Sequence, residues 1–372
     1  MARSPIQGGL AGLARRGLAG PVQRGLRTLA QRIATPPIPV PTIAETIAAR
    51  QRFFGVDAVN AETGSVRSDQ VILSWFGCAS FAVALGGSVF LLDAWVPRGA
   101  TSGYVPTTPA EVAALRPAAI FIGHGHFDHA ADAGPIAQAS GAVVHGTAEH
   151  CATAREQVGG EPEFACVELG SSTSLPGDRY EFELESGISI TAVRHIHSAR
   201  TARYEGADAC DPVKPLPALR DLRSYPPTLT DTAHLLRRLT DPEGGVLLYQ
   251  FRTETFTLTW HDSSGPLLDK APRVLETLRA LPESDVHIGA VQGYNQFTNG
   301  LRDPRTYITA LRPKVFVPNH HDNWLPLITA RGEAFRAPLE AELARLPKAP
   351  TLRMVLDPAD YIAPGRLSFP AQ

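Results

Sequence analysis

The stretch from Ala119 to Gly134 reads Ala-Ile-Phe-Ile-Gly-His-Gly-His-Phe-Asp-His-Ala-Ala-Asp-Ala-Gly, and it places His124, His126, Asp128 and His129 within six residues. Imidazole nitrogens and carboxylate oxygens are the donors that zinc and related divalent ions prefer. Four such donors this close in sequence converge on a common centre only if the backbone turns among them, since a continuous strand or helix would spread them over different faces. The apolar run from Pro117 to Gly123 has the length and flanks of a buried parallel strand. The donors therefore sit where a strand ends, and the carboxyl ends of strands are where open α/β sheets bind ligands.

Other polar residues fall at the ends of further apolar runs. Asp93 closes the run Ser88 to Leu92, where it either orients a ligand histidine through the distal N–H or simply caps the strand. Ile188 to His197 reads as one strand ending His195-Ile196-His197, and side-chain alternation puts both histidines on one side, so either could reach a metal. Asp262 follows the run Thr255 to Trp260 within Trp260-His-Asp-Ser-Ser-Gly-Pro266, and His320 and His321 follow Lys314 to Pro318. His145 and His150 match no ligand spacing and read as structural, and His234 reads as a surface residue of a helix near Leu229 to Leu239.

The elements that must position these donors alternate between strand and helix, which implies a layered α/β domain. A helix over Ile43 to Phe54 leads in, and Val71 to Trp95 reads as three strands broken at Gly77 and Gly86-Gly87. Thr108-Pro-Ala-Glu111 has the cap, first-turn proline and acid of a helix start. Residues 1–41 are expected to be a basic, flexible extension, 42–69 a lead-in helix and loop, and 70–372 the domain proper. The proline-rich stretch 199–243 reads as an insertion that shapes the substrate mouth.

The chain's 372 residues, 44% of them hydrophobic and 19% charged, can bury a large core, and a net charge of -2 gives no global bias towards nucleic acid or membrane. Only Lys214, Lys270, Lys314 and Lys348 among the 35 basic residues are lysines, which points to a GC-rich bacterial source. Cys78, Cys151, Cys166 and Cys210 show no Cys-x-x-Cys spacing, which argues against a thiolate zinc site or a disulfide scaffold and for a reducing, cytoplasmic compartment. The extension carries Arg3, Arg15, Arg16, Arg24, Arg27 and Arg32 without an acid, and no apolar segment of about 7 to 15 residues follows the arginine pair as an export signal requires. Weak contact with an anionic membrane surface is its other expected use.

In order and type these motifs resemble the metallo-β-lactamase superfamily over about residues 70 to 322. The resemblance implies a four-layer αββα sandwich in which His124, His126 and His197 hold one divalent ion, Asp128, His129 and His320 a second, and Asp262 bridges them. In the similar branch the ligand strand closes with a small residue, one further residue and then His-Ser, which assigns the ligand to His197 and places His195 behind it; a register shift of two would exchange them. The chain departs from the pattern at three places. Gly77-Cys78-Ala79-Ser80 replaces the usual Gly-His-Ala-Ser, so that an orienting histidine is missing. His261 replaces a glycine, adding an imidazole that either binds substrate or stacks, and His321 replaces an aromatic residue.

Thr108-Pro-Ala-Glu111, Ala131-Asp-Ala-Gly134 and the Trp260 to Pro266 segment resemble ascorbate-phosphate lactonase-like proteins and, more distantly, N-acyl-phosphatidylethanolamine phospholipase D. The implied activity is hydrolysis of an ester, lactone or phosphodiester bond in a small-molecule or lipid-like substrate. A hydroxide between two ions, zinc first and manganese second, would be the nucleophile, with Asp128 handling the proton. No nucleic-acid partner is expected. Two other readings are a nuclease of the same fold, which requires a basic groove, and a metal-binding regulatory protein without turnover.

Overall fold

Two seven-stranded sheets face each other in the computed structural model, which describes residues 36–99, 101–206, 209–213, 223–325, 329 and 331–371. In the first sheet β1 (Gln70–Gly77), β2 (Ser80–Leu85) and β3 (Ser88–Leu92) form an antiparallel meander. Next, β4 (Ala119–Phe121), β5 (Val143–Gly146) and β6 (Cys166–Glu168) add in parallel, while β14 (Ser368–Pro370) pairs with the free side of β1. The second sheet repeats this plan. Its antiparallel part is β7 (Arg179–Glu183), β8 (Ser189–His195), β9 (Val246–Arg252) and β10 (Thr257–His261), and its parallel part β11 (Val286–Ala290), β12 (Val315–Asn319) and β13 (Thr351–Leu352).

Strands covered on both faces need apolar residues at every position, and the two periods of each strand sort into different cores. Val71, Leu73 and Trp75 of β1 and Phe90 and Leu92 of β3 point inward, where they meet Leu247, Tyr249 and Phe251 of β9. Ile72 and Phe76 face outward with Leu91, against Phe53 and Phe54 of α1 (Ile43–Phe54), Val112 of α2 (Pro109–Ala114) and Ile136 of α4 (Ala133–Ser140). Behind the second sheet, Val193 and Leu248 pack on α8 (Pro272–Arg279) and α10 (Arg302–Leu311). Phe316 packs on Phe335 and Leu339 of α11 (Glu333–Leu343). The layering is helix, sheet, sheet, helix. Each fully buried aromatic contributes about 1.5–3 kcal/mol by leaving water, so the inter-sheet core supplies much of the stability.

Local signals fix where the helices begin. Thr42 and Glu45 form a capping box ahead of α1, and the Thr108 side chain accepts the Glu111 amide ahead of α2. Three expectations change. Cys151, on α5 (Ala148–Gln157), and Cys166, on β6, are joined in a disulfide, because helix and strand pack side by side; cysteine spacing thus gives no argument for a reducing compartment. His234, on α6 (Leu229–Arg238), is largely buried, with Nε2 3.3 Å from Asp132, so it docks the inserted segment rather than facing solvent. The strand read from Ile188 to His197 is shorter and ends at His195. The basic extension lies outside the described residues up to position 35, as do 214–222 of the insertion. Among the described residues no helix is long and apolar enough to cross a membrane.

Candidate metal centre

The backbone leaves β4 and turns twice before α3 (Phe127–Ala130) begins at its N-cap, His126. This short turn of helix lets residues two, four and five positions after His124 face the same side. Gly123 is required where it stands, because a Cβ there would lie 2.1 Å from Oδ2 of Asp262 and 2.6 Å from Oδ1.

The donors fall into two groups. Nε2 of His124 lies 3.0 Å from Nδ1 of His126, and the His197 ring packs 4.7 Å from the first and 5.0 Å from the second. Nε2 of His129 lies 3.2 Å from Nε2 of His320, and both are 3.5 Å from Oδ2 of Asp128. Behind each group stands a carboxylate. Oδ2 of Asp93 accepts from Nδ1 of His129 at 2.7 Å, and Oδ2 of Asp262 accepts from Nδ1 of His124 at 2.7 Å and lies 3.3 Å from Nδ1 of His129. A proton on Nδ1 leaves the Nε2 lone pair directed at the donor group, the tautomer that metal-binding histidines adopt when a carboxylate stands behind them. Asp262 thus touches a histidine of each group. Its Oδ1 is buried and has no hydrogen-bond partner among the described residues.

Imidazole nitrogens with lone pairs 3.0 to 3.2 Å apart repel unless a proton or cation lies between them. These donor sets therefore fit divalent ions, with His124, His126 and His197 able to hold one and Asp128, His129 and His320 another.

The structure separates the two histidines at the end of β8. The strand ends at His195, not His197, so alternation does not carry past it. His195 is fully buried with Nδ1 2.9 Å from the Tyr307 hydroxyl, while His197 lies beyond the strand and swings to the His124 group. His261 stacks on Tyr307 at 4.5 Å and contacts His287, while its Nδ1 donates to the Ser263 carbonyl. His321 does not join the site: it stacks on Trp75 at 4.8 Å, and its Nε2 donates to the Val355 carbonyl. His150 caps α5 and donates to the Glu243 carbonyl, and His145 stacks between Phe121 and Phe182; both are structural.

Three residues of the site were not legible as such. Cys78, read as the loss of a histidine, places its Sγ among the Asp128, His129 and His320 donors. Asp322 and Tyr104 hold it there: Asp322 accepts both the Cys78 amide, at 3.0 Å, and the Tyr104 hydroxyl. The signal available in the sequence was position, since Cys78 ends a strand as the other donors do. Backbone strain marks the same places. Cys78, Asp93 and His320 all have positive φ, of 50°, 54° and 58°, and such strain concentrates at functional sites.

Burial pushes the His124 pKa well below the ordinary histidine value, helped by the neighbouring His129, His126 and His197, and pushes His126 down to about 4. Both are then neutral, the form that binds metal. For His129 burial acts in the same direction, but the carboxylates of Asp128, Asp262 and Asp93 outweigh it and hold its pKa well above the usual value. Burial alone would raise Asp128, yet His129 and His320 hold its carboxyl well below the usual range, so it stays ionised.

Known proteins are similar to this chain. The family model of the metallo-β-lactamase superfamily matches residues 73–187. A UPF0173 metal-dependent hydrolase of Pyrobaculum neutrophilum is 28% identical over 272 residues, 72% of this chain and 92% of that protein. A UPF0173 metal-dependent hydrolase of Myxococcus xanthus is 34% identical over 95 residues, 25% of this chain and 32% of its own. Among solved structures, Igni18, a metallo hydrolase of Ignicoccus hospitalis, is similar at 16% identity and a TM-score of 0.47, covering 77% of this chain and 95% of that one. The family match falls on the strand that delivers His124 to His129 and the Pyrobaculum relative is aligned over most of its length, so the chain is similar to the metal-dependent hydrolases of the metallo-β-lactamase superfamily.

Proposed function

We propose that the protein uses two divalent ions, zinc foremost, to hydrolyse an ester, lactone or phosphodiester bond of a small or lipid-like molecule. The observation that carries this reading is the pairing of two separate donor groups through one carboxylate, Asp262, since seven nitrogen and oxygen donors exceed what one tetrahedral ion takes. Ions bound there supply Lewis acidity and lower the pKa of water towards about 7, which makes a hydroxide nucleophile available at neutral pH. The chain's residues do the rest. Asp93 and Asp262 fix the ring orientations of His129 and His124, and the ionised Asp128 accepts a hydrogen bond from the attacking water and passes its proton on. Tyr294, 47% exposed and 6.1 Å from the His197 ring, offers an aromatic face beside the donors, which suits a substrate with an apolar part.

Metal analysis of the chain purified without chelators, followed by a panel of ester, lactone and phosphodiester substrates, tests the proposal. About two ions per chain and turnover of one class are expected, with activity abolished by chelation and restored by zinc. A stoichiometry near zero, or turnover unaffected by chelation, overturns it.

A further inference from the structure

We infer that Cys78 is a fourth protein ligand of the Asp128, His129 and His320 group, so that the two metal sites differ in softness; the inference rests on the two-ion reading above. Sγ of Cys78 and one donor atom each of Asp128, His129 and His320 all lie within 4.8 Å of one another, in a pocket where the thiol is fully buried. The spacings fit coordination. Around a tetrahedral zinc with bonds of about 2.0–2.1 Å to nitrogen and oxygen, donors stand about 3.3–3.4 Å apart, and a sulfur bonded at about 2.3 Å stands about 3.5 Å from an oxygen. The three nitrogen and oxygen separations here are 3.2, 3.5 and 3.5 Å, and Sγ is 3.9 Å from Oδ2 of Asp128.

The turn that carries Cys78 is built to aim it. The β1–β2 pairing slips between Trp75 and Gly77, a bulge of the kind that redirects a side chain. Cys78 itself takes a positive φ of 50°, a conformation that side chains other than glycine and asparagine adopt only when surrounding bonds hold them. Three bonds do so: its amide donates to Asp322, and its carbonyl accepts from the Trp75 indole at 3.1 Å and from the His320 amide at 2.7 Å. The last of these ties the cysteine turn directly to another residue of the same group. A buried thiol that served packing alone would need neither the bulge nor this backbone link.

The site with Cys78 becomes Asp-His-His-Cys, which favours zinc, cadmium or cobalt over manganese and magnesium, whereas His124, His126 and His197 form a site without sulfur. On binding, the thiol becomes a thiolate, and its proton passes to solvent.

The test is cobalt loading of the full chain, followed by counting bound cobalt and recording the near-ultraviolet spectrum. A thiolate-to-cobalt charge-transfer band is expected, lost in Cys78→Ser and retained in Cys210→Ser, a change at the other thiol outside the disulfide. Two bound cobalt ions without that band, or a band that survives Cys78→Ser, overturns the assignment and leaves the two-ion hydrolase standing. Failure to bind cobalt at all overturns both. Should Cys78→Ser not fold, X-ray absorption of the zinc-loaded parent decides instead: a sulfur neighbour at about 2.3 Å supports the inference, and a purely nitrogen and oxygen shell refutes it.

Discussion

Asp93 holds two parts of the metal motif at once, its Oδ2 accepting from Nδ1 of His129 at 2.7 Å and its Oδ1 accepting from the Gly123 amide at 3.0 Å. The end of β3 is thereby bolted to both the entry and the exit of the turn that carries the donors. An asparagine of the same shape has one acceptor oxygen where two are needed, so Asp93→Asn should free either the ring or the backbone. Metal affinity of the His129 group, measured by competition with a chromogenic chelator, should fall about 10- to 100-fold, the usual cost of losing a partner behind a ligand. Unchanged affinity would show that Asp93 merely caps its strand.

The two histidines near the end of β8 should behave differently. His197→Ala removes a ring that packs on His124 and His126, so metal content and hydrolysis should fall together. His195→Ala removes a buried ring bonded to Tyr307, so metal should stay while activity changes modestly. Metal loss in the His195 variant alone would reverse the assignment.

Gly123→Ala should be the most damaging single methyl in the site, because its Cβ meets the Asp262 carboxylate well inside contact distance. Overpacking of this kind costs about 1–3 kcal/mol, and here the group displaced is the one that links the two donor groups. Gly160→Ala, where an added Cβ meets nothing within 4 Å, is the control. Equal thermal stability and metal content in the two variants would count against the packing argument.

His145 should make the fold acid-sensitive. Burial between Phe121 and Phe182 lowers its pKa from 6.5 to about 4, so between these values the unfolded chain binds a proton that the folded chain refuses. Its contribution is fully present above about pH 6.5 and is lost as pH falls towards 4. His145→Phe should therefore reduce the stability difference between pH 7 and pH 4.5 by roughly 2 kcal/mol, read by urea unfolding of the metal-free parent and variant. An identical pH dependence in both would refute this.

The sequence by itself determined what is local and periodic. The runs that become β1, β3 and β9 are mostly apolar, the caps of α1 and α2 lie within three residues of what they cap, and the cluster His124 to His129 is contiguous. The donors beyond it became legible through their order along the chain and its resemblance to a family, each at the end of an apolar run. What only the tertiary structure decided involves groups far apart in sequence. Cys78 is held by Asp322, 244 residues away, Cys151 meets Cys166 because a helix lies on a strand, and His234 docks an inserted helix onto Asp132. His321 stands next to His320 yet turns from the site to stack on Trp75, while His197 packs on the His124 group from beyond the strand, which ends two residues before it. Strand periodicity constrains which face a side chain occupies only while the hydrogen-bonded ladder lasts. Beyond the ladder, backbone direction is set by contacts with distant elements, and here those contacts assemble the site.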